Sequence, residues 1–93
     1  MSTKKLPISE HPLERLLRHG PAALSDAELL ALLEAGDTAG RSALGRARTT
    51  LCEFGAVGDL LSAPLTAVAQ LPGWGTCGYA RAQAAMELSK RML

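Results

Sequence analysis

Leu71-Pro72-Gly73-Trp74-Gly75 is the stretch that most limits what this chain can fold into. Two glycines flank one bulky residue, so the backbone can take a positive φ on each side, which a Cβ would resist. Apolar helical segments lie before and after it, and the stretch therefore predicts a tight hairpin between two helices. Thr76 stands where the second helix begins, its hydroxyl placed to cap free N–H groups. Open amides at such a turn, with the positive end of a helix behind them, suit an anion and a phosphate in particular.

The remaining residues decide what surrounds that hairpin. Hydrophobic residues make up 47% of the 93, but aromatics only 3%. A core made of Leu, Ala and a few Met favours close-packed helices over a sheet. Residues 1–10, with Lys4 and Lys5, read as a flexible N-terminal arm. Residues 11–93 read as a single helical domain. Pro12 opens a first helix whose apolar stripe is Leu13, Leu16 and Leu17, and Gly20-Pro21 ends it. Ser25-Asp26-Ala27-Glu28 is a capping box. The helix behind it carries Leu29, Leu30, Leu32 and Leu33, too many for a one-sided face, and is expected to be central.

Gly36 stops that helix, and Ser42 is positioned to cap the next one. Leu44, Ala47, Leu51 and Phe54 fall at i, i+3, i+7 and i+10, a helical stripe with Arg41, Arg46 and Arg48 largely off it. Those arginines read as a solvated face, with a phosphate patch as the alternative. Gly55 closes the helix, and a short connector through Val57, Leu60 and Leu61 follows. Pro64 starts a stubby helix over 65–70, and the last helix is expected over 77–92. Residues 28–36 and 65–73 both run an apolar helix into glycine, which suggests two related helix–turn–helix units about one core.

Several function classes lack support. Residues 1–61 hold seven Lys/Arg against eight Asp/Glu, while residues 62–93 hold Arg81, Lys90 and Arg91 against Glu87. The basic tilt points toward nucleic acid, but a strong non-specific binder carries a whole basic face. Cys52 and Cys77 have no C-x-x-C and no His beside them. They read as small buried or half-buried thiols in a reducing compartment, one bridge between them remaining open. His11 and His19 read as solvated helix-end residues. No Ser/His/Asp, Cys/His or metal-ligand set is suggested, so no catalytic residue, metal or cofactor is assigned. The longest uncharged stretch, residues 60–80, is broken by Pro64, Pro72 and three glycines; no membrane span is expected, and the chain reads as cytoplasmic.

At the hinge the sequence resembles a helix-hairpin-helix motif, an apolar helix followed by Gly–apolar–Gly and a second helix. Over nearly its whole length it also resembles the N-terminal domain of the RadC family. The matching stretches are Leu6-Pro7-Ile8-Ser9, Pro12 with Glu14-Arg15-Leu16-Leu17, Gly20-Pro21, and residues 24–31. Ser42-Ala43-Leu44 and the segment 71–93 continue the match. The resemblance implies an all-α bundle of five to six short helices, arranged as two pseudo-repeated helix-hairpin-helix units joined by a short connector helix. In that family the helical domain precedes a JAB/MPN-type domain similar to zinc metalloproteases. Its His-x-His signature is absent here, so the resemblance implies no chemistry on this chain.

The family's traditional association is DNA repair. The resemblance implies weak, sequence-independent contact with DNA backbone phosphate through Gly73, Trp74, Gly75 and Thr76, with Arg81, Lys90 and Arg91 as supporting cations. The lost charge at Gly78, the acidic loop at Glu34 and Asp37, and Trp74 as an exposed anchor favour the alternative, a docking module for a JAB/MPN domain or another protein, whereas Tyr79 and Ala82 read as a packing exchange. Gly78 stands where DNA-binding hairpins often carry Lys. Tyr79 and Ala82 exchange volumes at i and i+3. Glu34 and Asp37 flank Gly36, where a phosphate would be repelled. Trp74 has two readings, a large core residue by default or an exposed ring that stacks on a base or a partner.

Overall fold

The computed structural model describes residues 11–93. The arm expected over residues 1–10 lies outside the described residues. Six helices follow in order: α1 Pro12–His19, α2 Asp26–Ala35, α3 Arg41–Phe54, α4 Val57–Ser62, α5 Leu65–Val68 and α6 Gly75–Arg91. Single 3₁₀ turns, Pro21–Ala23 and Gly36–Thr38, join α1 to α2 and α2 to α3. The molecule is a small all-α bundle, as the composition and glycine spacing predict. No helix among the described residues is long and apolar enough to cross a membrane.

The starts of α1 and α2 follow local chemistry as expected. Pro12 occupies the first turn of α1 and its ring is fully buried. The Ser25 hydroxyl accepts from the Glu28 amide at 3.1 Å while the Glu28 carboxylate accepts from the Ser25 amide at 2.9 Å, completing the capping box. Arg15 extends it. Its Nε donates to Glu28 Oε2 at 2.7 Å and its Nη2 to the Ala23 carbonyl at 3.0 Å, which ties α1 to the start of α2. The third expectation fails: α3 begins at Arg41 with Gly40 as its N-cap, so Ser42 lies inside the first turn and caps nothing.

The core is assembled from small residues on α2 and α3 and closed by the second half of the chain. Ala27, Leu30 and Ala31 of α2 meet Ala43, Leu44 and Ala47 of α3, with Leu60, Val68, Trp74 and Ala82 completing the cluster. Alanines on facing helices let the axes approach closely, and the larger side chains then fill the remaining space. Helix α2 packs against α1, α3 and α6, the central position that its leucines predict. It is not apolar-buried all round, because Leu29 remains 38% exposed. Leu17 is likewise exposed, so the inward stripe of α1 is reduced to the half-buried Leu13 and Leu16.

Both cysteines depart from expectation. Cys52 and Cys77 are free and exposed, not buried, because each falls on an outward turn of its helix. Gly45 lies inside α3, where glycine is about 1 kcal/mol less favourable than alanine. A Cβ built there meets nothing within 4 Å, so no neighbour in the fold requires its absence.

The α1–α2 junction makes stability depend on acid. Burial alone raises the Glu28 pKa, but the Ser25 amide, the Arg15 guanidinium and the Ser25 hydroxyl together bring it below the ordinary carboxylate value. A carboxyl depressed on folding adds stability that is present above its unfolded pKa and lost as pH falls through the folded one. Glu28→Gln should therefore lower stability by about 1 kcal/mol at pH 7. The gap between variant and parent should close near pH 3, read from urea midpoints at the two pH values. A gap unchanged by acid would contradict the assignment.

Candidate nucleic-acid interface

The hinge takes the backbone shape its glycines predict. Gly73 has φ 76° and Gly75 φ 52°, with Trp74 between them at φ −97°. The Trp74 amide donates to the Leu71 carbonyl at 3.2 Å, which folds the turn, and Trp74 itself is the N-cap residue of α6. The helix therefore starts at Gly75, two residues earlier than the sequence suggests. Thr76 sits within the first turn and makes no side-chain cap. A positive-φ glycine, rather than a hydroxyl, sets this helix start.

Helix geometry leaves the first-turn amides without partners inside α6. The first closed bond here runs from the Gly78 amide to the Trp74 carbonyl at 2.8 Å. The amides of Gly75, Thr76 and Cys77 have no hydrogen-bond partner among the described residues. Thr76 and Cys77 are exposed and Gly75 is half-buried, so this turn faces water.

Trp74 is buried to 7% exposure, which settles its two readings in favour of a core residue. The reason is visible four residues on. A Cβ at Gly78 would stand 2.9 Å from both Cδ2 and Cε3 of the indole. The ring thus lies directly on the Gly78 backbone, and any side chain there would displace it. The missing charge at Gly78 and the unusual tryptophan are one feature: the large ring needs a bare helix turn beneath it.

The cations named from sequence do not gather at the hinge. Arg81 turns back to the end of α2, where its Nη1 donates to the Leu33 carbonyl at 3.2 Å and the Glu34 carbonyl at 2.6 Å. Those are unsatisfied carbonyls at a helix C-terminus, the negative end of its dipole. Lys90 and Arg91 lie at the far end of α6, about 22 Å along its axis from Gly75. Arg91 also pairs with Glu87 at 3.1 Å. Gly73, Trp74, Gly75 and Thr76 are contiguous; Arg81 is engaged by the carbonyls at the end of α2, and Lys90 and Arg91 lie at the far end of α6.

Sequence reasoning missed what covers the hinge instead. Arg46 donates through Nε and Nη2 to Glu34 Oε2 at 2.9 and 2.7 Å, joining α3 to the end of α2. A Cβ on Gly73 would fall on this ion pair, so Gly73 is needed both for its φ and for close approach. Glu34 is therefore not a free anion that repels phosphate, and Arg46 is not a free surface cation. The i, i+4 spacing of Trp74 and Gly78 was a readable signal. The Glu34–Arg46 pair, 12 residues apart across a turn, was not.

The indole seat makes a prediction in which the sign of an effect reverses. Gly78→Ala gains about 1 kcal/mol of helix propensity, yet overpacking against the ring costs about 1–3 kcal/mol. We expect net destabilisation, with a red shift of Trp74 emission. In a Trp74→Val background the same change should become stabilising, and a double-mutant cycle of urea midpoints measures the reversal. Gly78→Ala that stabilises the parent would contradict the contact.

Comparison with known proteins places the chain in a family. Residues 3–80 match the family profile described as UPF0758 N-terminal. A UPF0758 protein of Shewanella sp. (strain W3-18-1) is 47% identical over 92 residues, covering 99% of this chain and 41% of the relative. That of Shewanella loihica is 48% identical with the same coverage, and that of Shewanella denitrificans 45%. The chain thus spans about two fifths of the length of these curated relatives. No solved structure matches it. By that profile match and these identities, the chain belongs to the UPF0758 family, the family of its RadC-type resemblance, and corresponds to that family's N-terminal domain.

Proposed function

We propose that this domain is a non-catalytic contact module that touches a nucleic-acid backbone through the first turn of α6. The observation that supports the reading is the set of three unpartnered amides of Gly75, Thr76 and Cys77 at the start of a 17-residue helix. Oriented amides and the positive end of a helix suit one phosphate oxygen cluster. They read no bases, since contacts to phosphate position a protein without carrying sequence information.

Affinity on this reading is low. Arg81 is engaged with α2, and Lys90 and Arg91 are remote, so few counterions are released on binding and Kd is no better than about 10⁻⁴ M at physiological salt. Useful occupancy then requires a second attached site that raises effective concentration. A docking role toward the rest of the family polypeptide is the second reading. It is favoured by the outer end of α6, where Leu88 is 65% and Met92 84% exposed.

Anisotropy titration with duplex and branched DNA at two salt concentrations tests the first reading. Thr76→Glu places a carboxylate among the open amides, where an acidic residue also favours the helix by about 0.3–1 kcal/mol. We expect weak binding at low salt that falls at high salt and is lost in Thr76→Glu, while thermal stability is kept or raised. No binding at low salt, or binding indifferent to Thr76→Glu, removes the proposal and leaves docking.

A further inference from the structure

A cation does lie against the hinge, and it comes from α3. A Cβ built on Gly73 would collide with Arg46 Nε and with the Glu34 carboxylate, so both groups rest on that backbone. The Arg46 side chain is 38% exposed and that of Glu34 only 11%, so the carboxylate is covered while the guanidinium still meets water. Both bonds of the pair, from Nε and from Nη2, end on the single oxygen Glu34 Oε2. Arg46 is held in place by that one oxygen and by nothing bulkier on the hinge side, where Gly73 has no side chain.

Chain geometry sets how far this cation is from the start of α6. Gly75 follows Gly73 by two residues, and Cα atoms are about 3.8 Å apart, so the Gly75 amide lies within about 8 Å of Gly73. A phosphate that accepts one bond of about 2.9 Å on each of two oxygens spans such a gap. Release of Arg46 also leaves the end of α2 anchored. Arg81 donates to the Glu34 carbonyl at 2.6 Å, a bond made to the backbone and independent of the carboxylate. What holds Arg46 back is therefore the negative charge of one side chain. With Arg46 gone, that half-buried charge is left uncompensated, which keeps the pair closed at rest.

We propose that the Glu34–Arg46 pair is an autoinhibitory contact, in which Glu34 withholds from a nucleic-acid phosphate the arginine that would grip it together with the first-turn amides of α6. The proposal rests on the phosphate reading above and adds its regulation. While the pair is closed, the two charges cancel and the hinge offers amides alone, so affinity is low. When Glu34 is neutralised, Arg46 turns to the phosphate and its positive charge displaces one more counterion. For B-DNA each phosphate neutralised adds about 0.9 to the slope of log K against log salt. That increment marks a direct contact, which a general change in net charge does not reproduce.

Anisotropy titration of the 93-residue domain against duplex DNA over a series of salt concentrations tests this, with urea midpoints taken for every variant. Glu34→Gln should tighten binding about tenfold and steepen the salt slope by about 0.9. Asp37→Asn makes the same charge change on the exposed turn after α2 and should leave the slope as in the parent. Glu34→Gln with Arg46→Gln has the net charge of the parent and should return to its affinity and slope. Glu34→Gln with Arg46→Lys keeps a cation at the hinge and should retain most of the gain, which separates a lost contact from a disturbed fold. A gain in Glu34→Gln no larger than in Asp37→Asn, or one that survives Arg46→Gln, overturns the proposal. Binding that Thr76→Glu abolishes but Glu34→Gln leaves unchanged overturns this inference alone. Absence of binding in the parent and in Glu34→Gln alike removes the phosphate reading and this inference with it.

Discussion

Everything about the hinge follows from where one indole ring can be put. Trp74 is the largest side chain in a core otherwise made of leucine and alanine, and it enters from a turn only five residues long. It lies on the bare turn of α6 at Gly78, and this contact fixes the turn against the second half of the core. A smaller apolar residue would leave room for a side chain at Gly78. With tryptophan present, that position is excluded to lysine and to everything else with a Cβ.

The same constraint redistributes charge. Without a cation at Gly78, the supporting arginines of this region serve the fold. Arg81 satisfies carbonyls at the end of α2, and Arg46 holds Glu34 over Gly73. Both interactions, one from α3 and one from α6, run back to one place, the C-terminus of α2. That end would otherwise present unsatisfied carbonyls and a carboxylate beside the hinge. The two helix–turn–helix units are thereby joined by charge as well as by apolar packing. What remains at the surface is a helix start with open amides and an apolar helix end.

Local features were legible because each is decided by a few adjacent residues. The Ser25–Glu28 capping box, Pro12 in a first turn and the positive φ of Gly73 and Gly75 depend on no distant neighbour. Ser42 and Thr76 were misread for the same reason. A hydroxyl near a helix start is a cap only if the chain enters there, and here Gly40 and Trp74 set the entry points. Cys52, Cys77 and Leu17 were misplaced because helical spacing gives a period but not which side of the helix meets a neighbour.

The 93 residues by themselves determined the class of fold, the order of the helices and the place of the hairpin, since composition, capping and glycine spacing act within a few residues. They could not determine which of the basic side chains stays free. That depends on where the end of α2 comes to rest, and only packing brings Arg46 and Arg81 to it from 12 and 47 positions away. The accessible chemistry of this protein is therefore a tertiary property: the same arginines that suggest a phosphate surface in sequence are drawn inward by carbonyls and a carboxylate that no local pattern places beside them.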